Sequence, residues 1–95
     1  MNRDAPQRIG VDRAARTLTL HWSDGVSQTL RHDALRRACL CAQCRRIRLD
    51  GGEIIVPPDI SIEDVVTMGY GVQLVFSDGH ARGIYPWQFL ADLPS

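Results

Sequence analysis

The chain has no lysine, so every one of its eleven basic side chains is an arginine. It also has no apolar run near the ~20 residues that a membrane-crossing helix needs, which excludes a bilayer span of that kind. The first eight residues, Met1 to Arg8, carry no apolar stretch typical of an export signal, so the expected location is the cytoplasm. Cysteines number only three, an odd count that excludes a disulfide-built scaffold. Also missing are a Gly-x-Ser-x-Gly elbow, a P-loop, a His-Glu-x-x-His helix and a His-x-Asp pair, so no familiar catalytic motif is available. With 95 residues there is room for one domain, and for no separate catalytic one. A domain of this size buries only about 60–65% of its unfolded surface, so a cross-link or a bound metal would add substantially to its stability.

Hydrophobic residues make up 44% of the chain and charged residues 23%, as in a folded globular protein. The formal net charge is zero, yet residues 1–48 carry +6 and residues 49–95 carry −6. Two explanations are open. Either the halves meet in the fold or form ordinary solvated surface, or the arginine-rich stretch from Arg31 to Arg48 faces an anionic partner such as nucleic acid. Overall neutrality favours the first, because it gives no long-range attraction to nucleic acid.

The chain repeats itself. At an offset of 54 residues, Leu20, Ser23, Asp24 and Gly25 match Leu74, Ser77, Asp78 and Gly79. Leu18 aligns with Val72, Trp22 with Phe76, Leu30 with Ile84, and Leu35 with Phe89. Apolar residues alternate at 18, 20 and 22, and again at 72, 74 and 76, which predicts strands with one buried face. Asp-Gly between such runs predicts a tight hairpin, because glycine accepts positive φ. Each unit reads as strand, Ser-Asp-Gly turn, strand and short helix. The first helix is expected from His32-Asp33 with Ala34, Leu35 and Ala38 inward. The second opens at Pro86, its first position, with Trp87, Phe89, Leu90 and Leu93 inward. Ile60 to Met68 reads as a further strand, and Glu53 to Val56 as a short one. The expected fold is α+β: two related antiparallel hairpin–helix units in one domain spanning residues 1–95, ordered over about 8–93. Trp22, Trp87, Tyr70 and Tyr85 are candidate contact aromatics, with core packing favoured for both tryptophans.

All three cysteines lie within Cys39-Leu40-Cys41-Ala42-Gln43-Cys44. Clustered thiols in a reducing compartment point to metal binding or redox chemistry. Cys41 and Cys44 have the spacing of a two-thiolate claw, and Cys39 joins them only if the chain leaves its helix and wraps tightly. Small Ala38 and Ala42 allow that approach, and Arg36, Arg37, Arg45 and Arg46 are placed to lower the thiol pKa values. Iron–sulfur ligation would want a fourth cysteine. A thioredoxin-like site would leave Cys39 unexplained, and a labile metal carrier stays open. A tetrahedral zinc site needs one more donor. His80, emerging from the second turn where the first unit has Val26, is favoured; His32, at the expected helix start, reads as a surface residue but stays open as the ligand, and His21 is expected to face solvent.

Trp22-Ser23-Asp24-Gly25, Leu35-Arg36 leading to Cys39-x-Cys41-x2-Cys44, Ser77-Asp78-Gly79-His80 and Ile84-Tyr85-x-Trp87 together resemble the N-terminal domain of gamma-butyrobetaine and trimethyllysine dioxygenases. The likeness runs over about residues 8–93. It implies that Cys39, Cys41, Cys44 and His80 bind a structural zinc ion, the zinc knuckle that would cross-link the two units. It also implies kinship with standalone bacterial proteins of unknown function and with copies fused to P-loop iron–sulfur carrier ATPases. Some standalone members lack the cysteines, so the fold itself need not depend on zinc. The catalytic iron and 2-oxoglutarate sites of the dioxygenases lie in a jelly-roll domain for which this chain has no residues. The expectation is therefore a non-catalytic zinc module. It would contact a protein partner, either an oxygenase or an iron–sulfur assembly factor.

Overall fold

The structure, a computed structural model, describes residues 4–81 and 83–94. The first three residues, part of the Met1–Arg8 stretch that was read for an export signal, lie outside it, as does Arg82, the lone arginine of the acidic half. In chain order the elements are β1 (Arg8–Asp12), β2 (Thr17–His21), β3 (Ser27–Arg31), α1 (His32–Arg37), α2 (Ala42–Leu49), β4 (Ile62–Met68), β5 (Gly71–Phe76), β6 (Ile84–Pro86) and α3 (Trp87–Asp92). They build two three-stranded antiparallel sheets in the orders β1-β2-β3 and β4-β5-β6, each followed by a short helix. No helix among the described residues is long and apolar enough to cross a membrane.

The internal repeat is structural. In the first turn the Trp22 N–H donates to the Val26 carbonyl at 2.9 Å and the Gly25 N–H to the Trp22 carbonyl at 3.1 Å. In the second, the Phe76 N–H donates to His80 at 2.9 Å and the Gly79 N–H to Phe76 at 3.0 Å. Gly25 and Gly79 sit at φ +84° and +85°, where a side chain would be strained. Asp24 and Asp78 each accept the N–H two residues on, from Val26 at 3.2 Å and from His80 at 3.0 Å.

After the turn the two units fall out of step by one residue. Leu18 faces Leu30 across the first hairpin, but Val72 faces Tyr85 in the second. The sequence alignment of Leu30 with Ile84 and of Leu35 with Phe89 is therefore corrected to Leu30 with Tyr85 and Leu35 with Leu90, all four buried. The longer return arm of the second unit is the segment that begins at His80.

Leu18, Leu20, Trp22, Val72, Leu74 and Phe76 meet in one core with Leu30, Leu35, Tyr85, Trp87 and Leu90. Four hydrogen bonds fasten the units across this core. Gln28 Nε2 donates to the Leu90 and Leu93 carbonyls at 2.7 and 2.9 Å, covering the end of α3. Tyr85 Oη donates to the Leu35 carbonyl at 2.6 Å, and the Ile62 N–H donates to His32 Nδ1 at 3.1 Å.

Several expectations are corrected. Glu53 to Val56 is no strand: Ile54 and Val56 pack against the core while Ile55 is 88% exposed, and no neighbouring strand pairs with the segment. In α1, Ala34 is exposed and Arg36 turns inward in its place. Pro86 precedes α3 as its cap rather than opening it, and Phe89 and Leu93 are only partly buried. Tyr85 is fully buried, leaving Tyr70 as the exposed aromatic of the pair.

Candidate metal centre

The knuckle forms because α1 ends early. Its last turn closes with the Ala38 N–H on the Ala34 carbonyl at 3.1 Å, and α2 does not begin until Ala42. Residues 39–41 therefore run outside any helix, as convergence of Cys39 with Cys41 requires. Arg48 Nη2 covers the open end of α1 by donating to the Arg37 and Cys39 carbonyls at 2.6 and 2.5 Å. Cys41 caps α2: its Sγ accepts the Cys44 N–H at 3.4 Å.

The second hairpin then delivers His80. Its Nε2 lies 3.1 Å from Cys39 Sγ, 3.5 Å from Cys41 Sγ and 3.8 Å from Cys44 Sγ. The four donor atoms all lie within 4.8 Å of one another. A tetrahedral ion with sulfur at about 2.3 Å and nitrogen at about 2.0–2.1 Å would set its donors roughly 3.5–3.8 Å apart. The donor set and its separations thus fit a metal ion.

Neither of the other histidines joins this group among the described residues. His21 is half-buried, with its Nδ1 3.1 Å from Ser27 Oγ. His32 is fully buried beneath β4, so its reading as a surface residue is corrected. Its Nδ1 accepts from Ile62, and its Nε2 has no hydrogen-bond partner among the described residues. Burial lowers its pKa, outweighing the opposing pull of the Thr17 backbone and of Asp12 and Asp33.

The electrostatics differ from the sequence expectation. Burial pushes the Cys39 thiol up to about 12, with Cys44 and Cys41 adding to the rise. Burial also works to raise Cys41, but the N–H groups of Cys44 and Gln43 and the neighbouring thiols overcome it, and its pKa is lowered. Of the four arginines expected to act on the thiols, Arg36 alone has a hydrogen bond to a sulfur. Its Nη1 donates to Cys44 Sγ at 3.3 Å and its Nε to Asp78 Oδ2 at 3.0 Å. Burial alone would depress Arg36; these two partners reverse that and raise it. The other carboxylate oxygen of Asp78 holds the His80 N–H, so Arg36 links the knuckle to the hairpin that carries the histidine.

Two further features escaped the sequence reading. A Cβ on Gly83 would lie 2.8 Å from Cys39 Sγ and 3.0 Å from the Tyr85 ring, so only glycine lets the return arm pass over the sulfur. The basic stretch from Arg31 to Arg48 is also less free than its composition implies. Arg31 and Arg37 both pair with Asp33, Arg36 is buried, and Arg48 is engaged with carbonyls.

Over residues 9–91 the chain matches the family described as gamma-butyrobetaine hydroxylase-like, N-terminal. It belongs to that family. Among solved structures it is similar to a DUF971-family protein of unknown function from Acidithiobacillus ferrooxidans ATCC 23270. That match has 33% identity and a TM-score of 0.73, covering 90% of this chain and 86% of the other. A solution NMR structure matches at 29% identity and TM-score 0.75, covering 95% and 68%. A second matches at 26% identity and TM-score 0.71, covering 97% and 73%. No curated protein matches the chain. The family and the Cys3His group agree with the resemblance drawn from the sequence.

Proposed function

We propose that this chain is a non-catalytic, zinc-stabilised module that works in the cytoplasm by contact with a protein partner. The convergence of Cys39, Cys41, Cys44 and His80 carries the reading. Three soft sulfur donors and one imidazole in a compact group are the donor set of structural zinc sites. When bound, the ion would supply a cross-link between the end of α1 and the second hairpin. Four protein ligands complete its coordination, so no position is left for water or substrate. Arg36 offsets part of the thiolate charge, and Asp78 fixes the backbone of His80. The hydroxylase-like description of the family supports an oxygenase as the partner, with an iron–sulfur assembly factor as the alternative.

Metal analysis of the purified chain beside Cys41→Ser, His80→Ala and His32→Gln tests this reading. One zinc per chain is expected in the native protein and in His32→Gln, and its loss in the other two. A native chain that takes up no zinc, or loss in His32→Gln but not in His80→Ala, would overturn it.

A further inference from the structure

The three sulfurs of the cluster are not equally placed. Cys39 and Cys44 are buried, whereas Cys41 is half-exposed at the start of α2. Cys39 is confined further by the return arm, whose Gly83 leaves no room for even a methyl group above its Sγ. Cys44 sits one helical turn from Cys41, and its Sγ already receives a hydrogen bond from Arg36. The guanidinium holds that sulfur in place beside Cys41.

We propose that Cys41 is a site of oxidative modification by hydroperoxides, resolved by Cys44 into a Cys41–Cys44 disulfide that ends metal binding. This inference rests on the zinc reading above. In the first step Cys41 Sγ attacks a peroxide oxygen: an S–O bond forms, the O–O bond breaks, and hydroxide leaves when hydrogen peroxide is the oxidant. Cys44 Sγ then attacks Cys41 Sγ, forming the S–S bond as the S–O bond breaks and a second hydroxide leaves. Two thiolates lose two electrons and one peroxide gains them, so the step balances. The sulfurs, within 4.8 Å of each other, must close to about 2.05 Å, and a three-residue span at a helix start allows this. Cys39 and His80 are then the only donors left, too few to hold the ion, and α1 is untied from the second hairpin.

The test treats the zinc-loaded full chain with hydrogen peroxide. Zinc release is followed with a chromogenic chelator, sulfenic acid is trapped with dimedone, and remaining thiols are alkylated before mass spectrometry. Release of the zinc should accompany loss of two thiols, with the dimedone adduct on Cys41, a Cys41–Cys44 link and an alkylated Cys39. A Cys41→His chain keeps a nitrogen donor there, and once loaded it should hold its zinc under the same treatment. Zinc retained after peroxide, a first adduct on Cys39 or Cys44, or Cys39 in the disulfide would overturn the inference while leaving the metal reading intact. A chain that never takes up zinc would overturn the metal reading and this inference with it.

Discussion

Replacing Arg36 with leucine removes a side chain that bonds both to the knuckle, through Cys44, and to the second hairpin, through Asp78. The Arg36 side chain is 10% exposed and its partner Asp78 19% exposed. Removing one member of a fully buried ion pair costs about 3–5 kcal/mol, because the other charge is left without a counterpart. Asp78 keeps some contact with water and still accepts the His80 N–H, so the cost falls below that range, at about 2–3 kcal/mol. In a domain of this size each kcal/mol moves the midpoint by roughly 4–8 °C, so a fall of roughly 10–20 °C is expected. Urea unfolding of Arg36→Leu, Asp78→Asn and the double variant, all at matched zinc content, gives the coupling directly. It should exceed about 1 kcal/mol, since groups in one charge network do not act additively. Additive losses to within about 0.5 kcal/mol would show that the pair does not link the two units, and the reasoning would fail.

Two other perturbations read different parts of the molecule. His32 is buried with its pKa lowered, so the unfolded chain binds the proton more readily than the folded one. Its contribution to stability is therefore complete above the unfolded value of about 6.5 and is lost as pH falls from there toward the depressed folded value. Comparing the native chain with His32→Gln between pH 7.5 and roughly 5 isolates this slope from that of the metal ligands, and identical profiles would refute it. Gly83→Ala should cost about 1–3 kcal/mol and weaken zinc retention in a chelator competition, because its methyl group meets Cys39 Sγ and the Tyr85 ring. Unchanged stability and retention would mean that the return arm moves aside freely.

The hairpins were legible because their signals are local. Alternating Leu18, Leu20 and Trp22 can bury one face only as a strand, and Asp-Gly can turn only where glycine accepts positive φ. The knuckle was legible for the same reason, since Cys39 and Cys41 cannot converge within a regular helix. The missed features depend on neighbours distant in sequence. His32 looked like a surface residue at a helix start until β4 covered it, with Ile62 thirty residues away supplying its hydrogen bond. Arg36 looked like one of four arginines equally placed to act on the thiols, and only the meeting of the two units set Asp78 and Cys44 around it. Glu53 to Val56 shows the alternating burial of a strand, but among the described residues no neighbouring strand pairs with it.

The sequence by itself determined the repeated turns, the buried faces of the central strands, the three clustered sulfur donors and the family. Each of these follows from residue type and short spacing, which the chain carries wherever it folds. The tertiary structure alone decided which histidine meets the sulfurs, which arginine is buried between them and the second hairpin, and which cysteine is left toward solvent. Those outcomes depend on how two similar units pack, and a one-residue difference in the second return arm shifts every side chain that follows it.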